Sequence, residues 1–152
     1  MQTVQDILAK KGNAIVSVGS EDLVITALVA MSEKNIGAIL VNDASGNLAG
    51  IFSERDFARK IIVRGRSCEA TKVGEIMTAD PVFVEPGTSL SECMRIMTDR
   101  KFRHLPVKSG GKVVGVISIG DVVKALIEFQ GHVISEQAFE IGQMERTIPG
   151  AI

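Results

Sequence analysis

Apolar residues in the first half of the chain follow two patterns, one typical of strands and one typical of helices. Short apolar runs at Ile15–Val18, Ile36–Val41 and Leu48–Phe52 predict three strands. Between the first two runs, four apolar residues recur at i, i+3, i+4 and i+7, which predicts a helix with one buried stripe: Val24, Ala27, Leu28 and Met31. A second helix is predicted from Asp56 to Arg64, since Gly65 can supply its C-cap. The order is therefore β-α-β-β-α.

The same order of elements returns in the second half of the chain. Strands are predicted at Val82–Val84, Phe102–Val107 and Val113–Ile117, and a closing helix is predicted from Asp121 to Gln130. The helix between the first two of these strands has a stripe of the same spacing, formed by Leu90, Cys93, Met94 and Met97. Two similar β-α-β-β-α units therefore follow one another.

Identical residues at a constant spacing indicate an internal repeat. Four residues of the first unit recur 65 positions later: Gly46, Gly50, Ser53 and Asp56 return as Gly111, Gly115, Ser118 and Asp121. A short lead-in also recurs, because Val4–Leu8 resembles Val73–Met77 at a shift of 69. The helices with the apolar stripes are expected to begin at N-caps, which are Ser20 or Asp22 in the first unit and Thr88 in the second.

The repeat divides the chain into three parts. Residues 1–64 are expected to form the first repeat with its lead-in, residues 65–130 the linker and the second repeat, and residues 131–152 a tail. Each repeat has one apolar sheet face to bury, so we expect a single pseudo-symmetric α/β module with the repeats packed sheet to sheet. The tail is expected to be a short helix that packs on the module or on a second subunit, or else binds a partner; its apolar stripe is Ile134, Ala138, Ile141, Met144 and Ile148.

A Gly-x-x-Ser-x-x-Asp motif occurs in both repeats, at Gly50–Asp56 and at Gly115–Asp121. Each copy lies where a predicted strand gives way to a helix, and the amides of a helix N-terminus suit a phosphate. The serine hydroxyl could add a hydrogen bond, and the aspartate could accept the two hydroxyls of a ribose. A capping box explains the same residues without any ligand, because both side chains then bond helix amides.

The segment Lys101–Val107 offers two further candidates beside the second motif. Arg103 can bind a phosphate through forked hydrogen bonds, and the alternative is a solvated surface cation. His104 could assist or respond to pH, and the alternative is a half-buried structural residue. The first repeat has Ile36–Leu40 at the equivalent place, an apolar wall better suited to an adenine ring.

Composition excludes several other classes of function. The 152 residues have a net charge of −1, and aromatic residues make up 4% with no Trp or Tyr, so a nucleic-acid surface is not expected. Apolar stretches are too short to span a membrane, and the N-terminus lacks the apolar core of a secretory signal, which predicts a cytoplasmic protein. Cys68 and Cys93 are not spaced for a metal site, and no nucleophile, base and orienting group form a motif, so an enzyme is not expected.

The sequence resembles tandem CBS-domain proteins, also called Bateman modules, of the small stand-alone bacterial type. The resemblance covers Val4 to Gln130 and rests on three features: the doubled Gly-x-x-Ser-x-x-Asp motif, the Arg-His-Leu-Pro-Val segment and the Val-x-Glu-Ile-Met-Thr lead-in. It implies two clefts between the repeats that bind adenosyl ligands. AMP is the first expectation, with ADP, ATP, NAD(H) and S-adenosylmethionine as the other ligands of the family.

The resemblance also implies which residues form each cleft. Cleft A would consist of Ser118, Asp121, Val116, Ala14, Ile15, Ile36, Gly37 and His104. Cleft B would consist of Ser53, Asp56, Arg55, Ile51, Asp80, Pro81, Phe102 and Arg103. A homodimer and an unidentified regulated protein are expected by analogy, and the alternative is an interaction module that uses its clefts for no ligand.

Overall fold

The computed structural model of the chain describes residues 2–12 and 14–131. The apolar stripe expected in the tail lies outside these residues. Within them, the predicted mixed α/β architecture of two similar units is confirmed.

The first repeat contains helices and strands close to the predicted positions. In chain order they are α1 (Val4–Lys11), β1 (Ser17–Gly19), α2 (Val24–Lys34), β2 (Ala38–Asn42), β3 (Leu48–Ser53) and α3 (Glu54–Asp56), which continues as a π-helical segment over Phe57–Ile62. A turn comes next, and Gly65 ends it with a left-handed φ of 66°. The glycine therefore stops the helix as the sequence predicts.

The second repeat has the same order with one shortened strand. Its elements are α4 (Val73–Ile76), β4 (Thr78–Ala79), α5 (Leu90–Arg100), β5 (His104–Ser109), β6 (Lys112–Ser118) and α6, which covers 119–131. The strand predicted at Val82–Val84 is reduced to a single parallel bridge between Val84 and Val107. The Val84 amide donates to the Pro106 carbonyl, and the Lys108 amide donates to Val84.

The chain forms two sheets, and β4 of the second repeat joins the sheet of the first repeat. The first sheet has the order β1-β2-β3-β4, in which β1 and β2 are parallel and the other pairs are antiparallel. The second is the antiparallel hairpin of β5 and β6. One apolar cluster joins the sheets, because Ala38, Leu40 and Ile51 of the first repeat pack with Val113 and Val116 of the second. The expected sheet-to-sheet packing is thus present.

Each lead-in packs on the other repeat. Val4, Ile7 and Leu8 of α1 lie in the core of the second repeat, whereas Val73 and Ile76 of α4 lie in the core of the first. The predicted boundary between residues 64 and 65 separates the repeats along the chain. Each lead-in nevertheless packs across this boundary, on the core of the other repeat. The two units consequently cannot be separated without opening both cores.

The glycines of the repeated motif allow this exchange. A Cβ at Gly50 would lie 2.6 Å from the Met77 sulfur and 2.6 Å from the Thr78 carbonyl oxygen. At Gly115 it would lie 2.7 Å from Leu8 Cδ2. Real Cβ contacts are longer than this, so a side chain at either position would require a lead-in residue to shift.

The predicted N-caps are wrong. Helix α2 begins after Leu23, and its first amides donate to carbonyls of the linker, Val24 to Thr71 and Ile25 to Cys68. Helix α5 is capped by Ser89, whose hydroxyl accepts from the Glu92 amide. The linker supplies the backbone acceptors for α2 through tertiary contacts, which a local pattern does not reveal.

Candidate functional site

A cavity of about 870 Å³ lies between the two repeats. The starts of α3 and α6, at Ser53 and Ser118, both line it, together with Gly37 immediately before β2 and the 100–104 segment that leads into β5. The two copies of the repeated motif therefore face one common space. A single elongated ligand in this cavity can contact both copies of the motif.

Cations dominate the polar lining of the cavity. Six basic side chains line it: Arg55, Arg59, Lys60, Arg100, Lys101 and Arg103. The acidic residues among the lining are Glu54 and Asp56. Within residues 2–12 and 14–131, only Lys60 of the six pairs with a carboxylate. An anion is the ligand that this charge distribution favours.

The helix amides are less available than the sequence suggests. The first amide of α3, at Glu54, donates to the Gly37 carbonyl, and the first amide of α6, at Ile119, donates to the Arg103 carbonyl. The Asp56 and Asp121 amides donate to the serine hydroxyls of their own motifs. The basic side chains are therefore more available to an anion than the amides of the helix termini are.

Asp56 is buried and fully engaged. Its Oδ2 accepts from the amide and the hydroxyl of Ser53, at 3.0 and 3.1 Å. Its Oδ1 accepts from the Thr78 hydroxyl at 3.3 Å and forms an ion pair with Lys60 at 3.0 Å. The capping box predicted as the alternative to a ligand site is present here. Three hydrogen bonds and an ion pair leave this carboxylate little capacity for ribose hydroxyls.

Asp121 is held differently. Its Oδ2 accepts from the Ser118 amide at 2.8 Å and from the Lys11 ammonium at 2.7 Å. Lys11 also donates to the Val116 carbonyl at 2.9 Å. Burial alone would raise the pKa of the Asp121 carboxyl, but the hydrogen bonds from Lys11 and Ser118 outweigh it and lower that pKa. The aspartate is ionised at neutral pH.

His104 lies at the junction of the two repeats. Its ring is half-buried, and a Cβ at Gly37 would lie 3.6 Å from the ring atoms Cε1 and Nε2. Burial, followed by the charges of Lys11 and Arg103, lowers the pKa of His104 below its ordinary value, and Asp121 opposes this shift. The imidazole is therefore neutral at pH 7 and can donate one hydrogen bond and accept another.

The cavity contains most of cleft B. Seven of its predicted residues line the cavity: Ile51, Ser53, Arg55, Asp56, Pro81, Phe102 and Arg103. Asp80 does not, and it is exposed with a φ of 46°. Sequence reasoning missed Lys60 and Thr78, which hold Asp56, although a lysine four residues after the aspartate is a readable signal.

Cleft A is divided by the structure. Gly37, His104 and Ser118 line the cavity, whereas Ala14, Ile15, Ile36, Val116 and Asp121 lie outside its lining. Val116 packs between the sheets, and Ile15 is 45% exposed. Lys11, which bonds both Val116 and Asp121, was also missed by the sequence reasoning, because nothing local connects a residue of the lead-in with the last helix.

Metal-binding clusters, membrane-spanning helices and reactive thiols would be further functional features in the part of the chain that the structure describes. No cluster of metal-binding side chains is found there, and no helix there is both long and apolar enough to cross a membrane. Cys93 is buried, and burial raises the pKa of its thiol to about 11. The thiol is therefore protonated and a poor nucleophile at neutral pH.

Comparison with known proteins agrees with the repeat. The family model described as "CBS domain" matches twice, at residues 4–63 and 73–128. The mitochondrial CBS domain-containing protein CBSX3 of Arabidopsis thaliana is 40% identical over 133 residues, which is 82% of this chain and 65% of CBSX3. The chain thus spans just under two thirds of that relative, and 19% of the longer Arabidopsis protein CBSCBSPB5.

Solved structures give the same result. A protein with CBS domains from Burkholderia ambifaria has 49% identity and a TM-score of 0.80, covering 84% of this chain and 95% of that one. CBSX2, solved in complex with AMP, has 29% identity and a TM-score of 0.68, covering 86% of this chain and 99% of its own. With two matched repeats, exchanged lead-ins and a cavity between the units, the chain belongs to the CBS-domain family as a tandem pair, a regulatory module.

Proposed function

We propose that this CBS pair binds an adenine nucleotide in the cavity between its repeats and regulates a partner protein without catalysing a reaction. AMP is the first ligand in this proposal, with ADP, ATP and NAD(H) as its other members. The observation that carries it is the cavity of about 870 Å³ that joins both motif serines and is lined by six basic side chains.

Charge supports the phosphate part of the proposal. Arg59, Arg100 and Arg103 are exposed and line the cavity, and none of them is paired with a carboxylate among the residues that the structure describes. Arginine binds phosphate through two parallel hydrogen bonds. Arg55 is partly used, because its Nη1 donates to the Lys101 carbonyl at 3.0 Å and so links the repeats.

Apolar side chains support the adenine part. Ile51, Val82, Phe102 and Ile119 line the same cavity, and Pro81 lies beside them. A site with apolar walls and a few convergent polar groups is typical of small-molecule binding. The similarity to CBSX2, whose structure contains AMP, also favours this ligand class.

A thermal-shift panel tests the proposal. The purified protein is heated with AMP, ADP, ATP, NAD, NADH, S-adenosylmethionine or GTP, and native mass spectrometry checks for ligand already bound. We expect an adenine ligand to raise the melting temperature, because a ligand at a hundredfold excess over Kd stabilises by about 2.7 kcal/mol. Replacing Arg103 with alanine should reduce this shift by more than half.

Arg64→Ala is the matched control for Arg103→Ala. Both substitutions remove one exposed positive charge, but Arg64 does not line the cavity. The shift should survive in the control. If no adenine ligand stabilises the wild-type protein and none copurifies, the alternative of an interaction module without ligand is the better account. The homodimer and the cytoplasmic location remain predictions, which sedimentation and fractionation address.

A further inference from the structure

The two lead-in helices differ in length. Helix α4 ends at Ile76 and is succeeded by strand β4, whereas α1 continues for about one more turn, to Lys11. The additional turn carries Lys11 to the start of α6, where its ammonium bonds the Val116 carbonyl at 2.9 Å and Asp121 at 2.7 Å. The second repeat therefore has a cation that belongs to the first part of the chain.

The corresponding aspartate of the first repeat is served from its own helix. Lys60 pairs with Asp56 four residues away, and the position 65 residues after Lys60 is Ala125. The second repeat thus has no lysine at the position equivalent to Lys60, and the cation that pairs with Asp121 is Lys11. Unlike Asp56, Asp121 is not fully buried, and the side chains of Lys11 and Asp121 are 42% and 26% exposed.

We propose that Lys11 determines the order in which the two clefts fill, because it competes with the ribose of a nucleotide for Asp121 and for the Val116 carbonyl. This inference rests on the proposed function. Lys11 already bonds both of these groups of cleft A, whereas most residues of cleft B line the cavity. Nucleotide binds first in the open cavity, and a second molecule enters cleft A only when Lys11 withdraws.

The end of α1 can move without exposing the core. Val4, Ile7 and Leu8 anchor the helix, whereas Lys11 and Gly12 are exposed at its end. Gly12 stops the helix with a φ of 88°, so the last turn is joined to the next segment of chain by a residue with wide conformational freedom. Displacement of Lys11 therefore costs its two polar contacts and little apolar burial.

Calorimetric titration of wild-type protein and of Lys11→Met with AMP and with adenosine tests the proposal. Methionine keeps the length of the side chain and removes the ammonium. We expect one AMP per chain in the wild type and a second AMP in Lys11→Met. If the wild type already binds a second AMP weakly, the affinity of that site should increase about tenfold in Lys11→Met, equivalent to about 1.4 kcal/mol. Adenosine has the ribose but no phosphate. If Lys11 competes with the ribose, the affinity of adenosine for Lys11→Met should therefore rise by a similar factor.

Lys10→Met is the matched control. Lys10 lies in the same helical turn and pairs with Glu128 at 3.0 Å, but it does not contact Asp121 or Val116, so it should bind like the wild type. Lys11→Gln should reproduce Lys11→Met if loss of the charge is the cause, and circular dichroism checks that each variant is folded. Adding Asp121→Asn to Lys11→Met should remove the gained site.

Two results would overturn the competition. Unchanged stoichiometry and adenosine affinity in Lys11→Met would show that Lys11 does not restrict cleft A. Weaker AMP binding with unchanged adenosine binding would instead make Lys11 a phosphate ligand. If neither AMP nor adenosine binds to the wild type or to any variant, the proposed function itself fails, and the inference about Lys11 fails with it.

Discussion

At the scale of single residues, the two motif aspartates show how identical sequence leads to different chemistry. Asp56 is buried and has three hydrogen bonds and an ion pair with Lys60, whereas Asp121 depends on Ser118 and on Lys11. Both also complete capping boxes, so the repeated motif has a structural role whether or not a ligand binds. The ribose role of either aspartate remains a prediction, and Asp121 is the better candidate since its second oxygen accepts no hydrogen bond among the described residues.

His104 predicts a dependence of stability on pH. Its pKa is lowered in the folded protein by burial and by Lys11 and Arg103, with Asp121 opposing, so the unfolded chain binds a proton more readily. Stability is therefore complete above the ordinary pKa of about 6.5 and decreases as the pH falls from there through the folded pKa. The free energy of unfolding, measured with urea at pH 7.5 and at pH 5.5, should differ less between the two pH values in His104→Gln than in the wild type.

The second histidine does not affect this comparison. His132 is present in both proteins, so its contribution cancels in the difference. Equal pH dependence of wild type and His104→Gln would contradict the assignment. Bound phosphate would reverse the local charge balance, and the same titration with a saturating nucleotide should then show a weaker loss at low pH.

At the scale of elements, the two lead-ins make different contacts with strands β6 and β3. Helix α1 lies on β6, and the segment from α4 to β4 lies on β3. The two contacts are equivalent by sequence, but Gly115 is approached by the flexible end of Leu8, whereas Gly50 is approached by the Met77 sulfur and also by the Thr78 backbone carbonyl. The two repeats therefore differ in the surroundings of the glycine of the Gly-x-x-Ser-x-x-Asp motif.

Substitution of the two motif glycines should reveal this difference. Gly50→Ala would press against the Thr78 carbonyl at 2.6 Å, which cannot move alone, and we expect a loss of about 1 to 3 kcal/mol in the free energy of unfolding. Gly115→Ala meets only the end of the Leu8 side chain and should cost less. Chemical denaturation measures both.

Gly87→Ala is the control for these substitutions. A Cβ at Gly87 would meet nothing within 4 Å, and its φ is not positive, so its stability should change by less than about 0.5 kcal/mol. A loss at Gly115→Ala as large as that at Gly50→Ala would contradict the distinction between a side-chain and a backbone neighbour.

At the scale of the whole molecule, the exchange of lead-ins makes the repeats interdependent. Leu8 is 3% exposed in the core of the second repeat, although it precedes the first repeat in the chain, and Ile76 is 2% exposed in the core of the first. Removing buried atoms from one lead-in should thus weaken the repeat on which it packs.

Hydrogen exchange can test this crossed arrangement. Leu8→Ala should cost about 2 to 5 kcal/mol and should accelerate exchange most in β5 and β6. Ile76→Ala should have a similar cost and should accelerate exchange most in β2 and β3. The opposite pattern, with each substitution acting on the repeat that comes after it in the chain, would refute the exchange.

Much of the fold follows from the sequence because it depends on local periodicity. The stripe of Val24, Ala27 and Met31 and the apolar runs of the strands predicted both units within a few residues, and the doubled motif predicted that they would pair. The predicted N-caps were wrong because carbonyls of the linker, distant in sequence, satisfy the amides of α2.

The sequence by itself determined the repeat and the class of fold, since these depend on spacing along one strand or helix. Only the tertiary structure decided which lead-in packs on which repeat, and that one cavity joins Ser53 and Ser118. It also decided that Lys11 contacts Asp121. These contacts join residues far apart in the chain, and no periodic pattern records them.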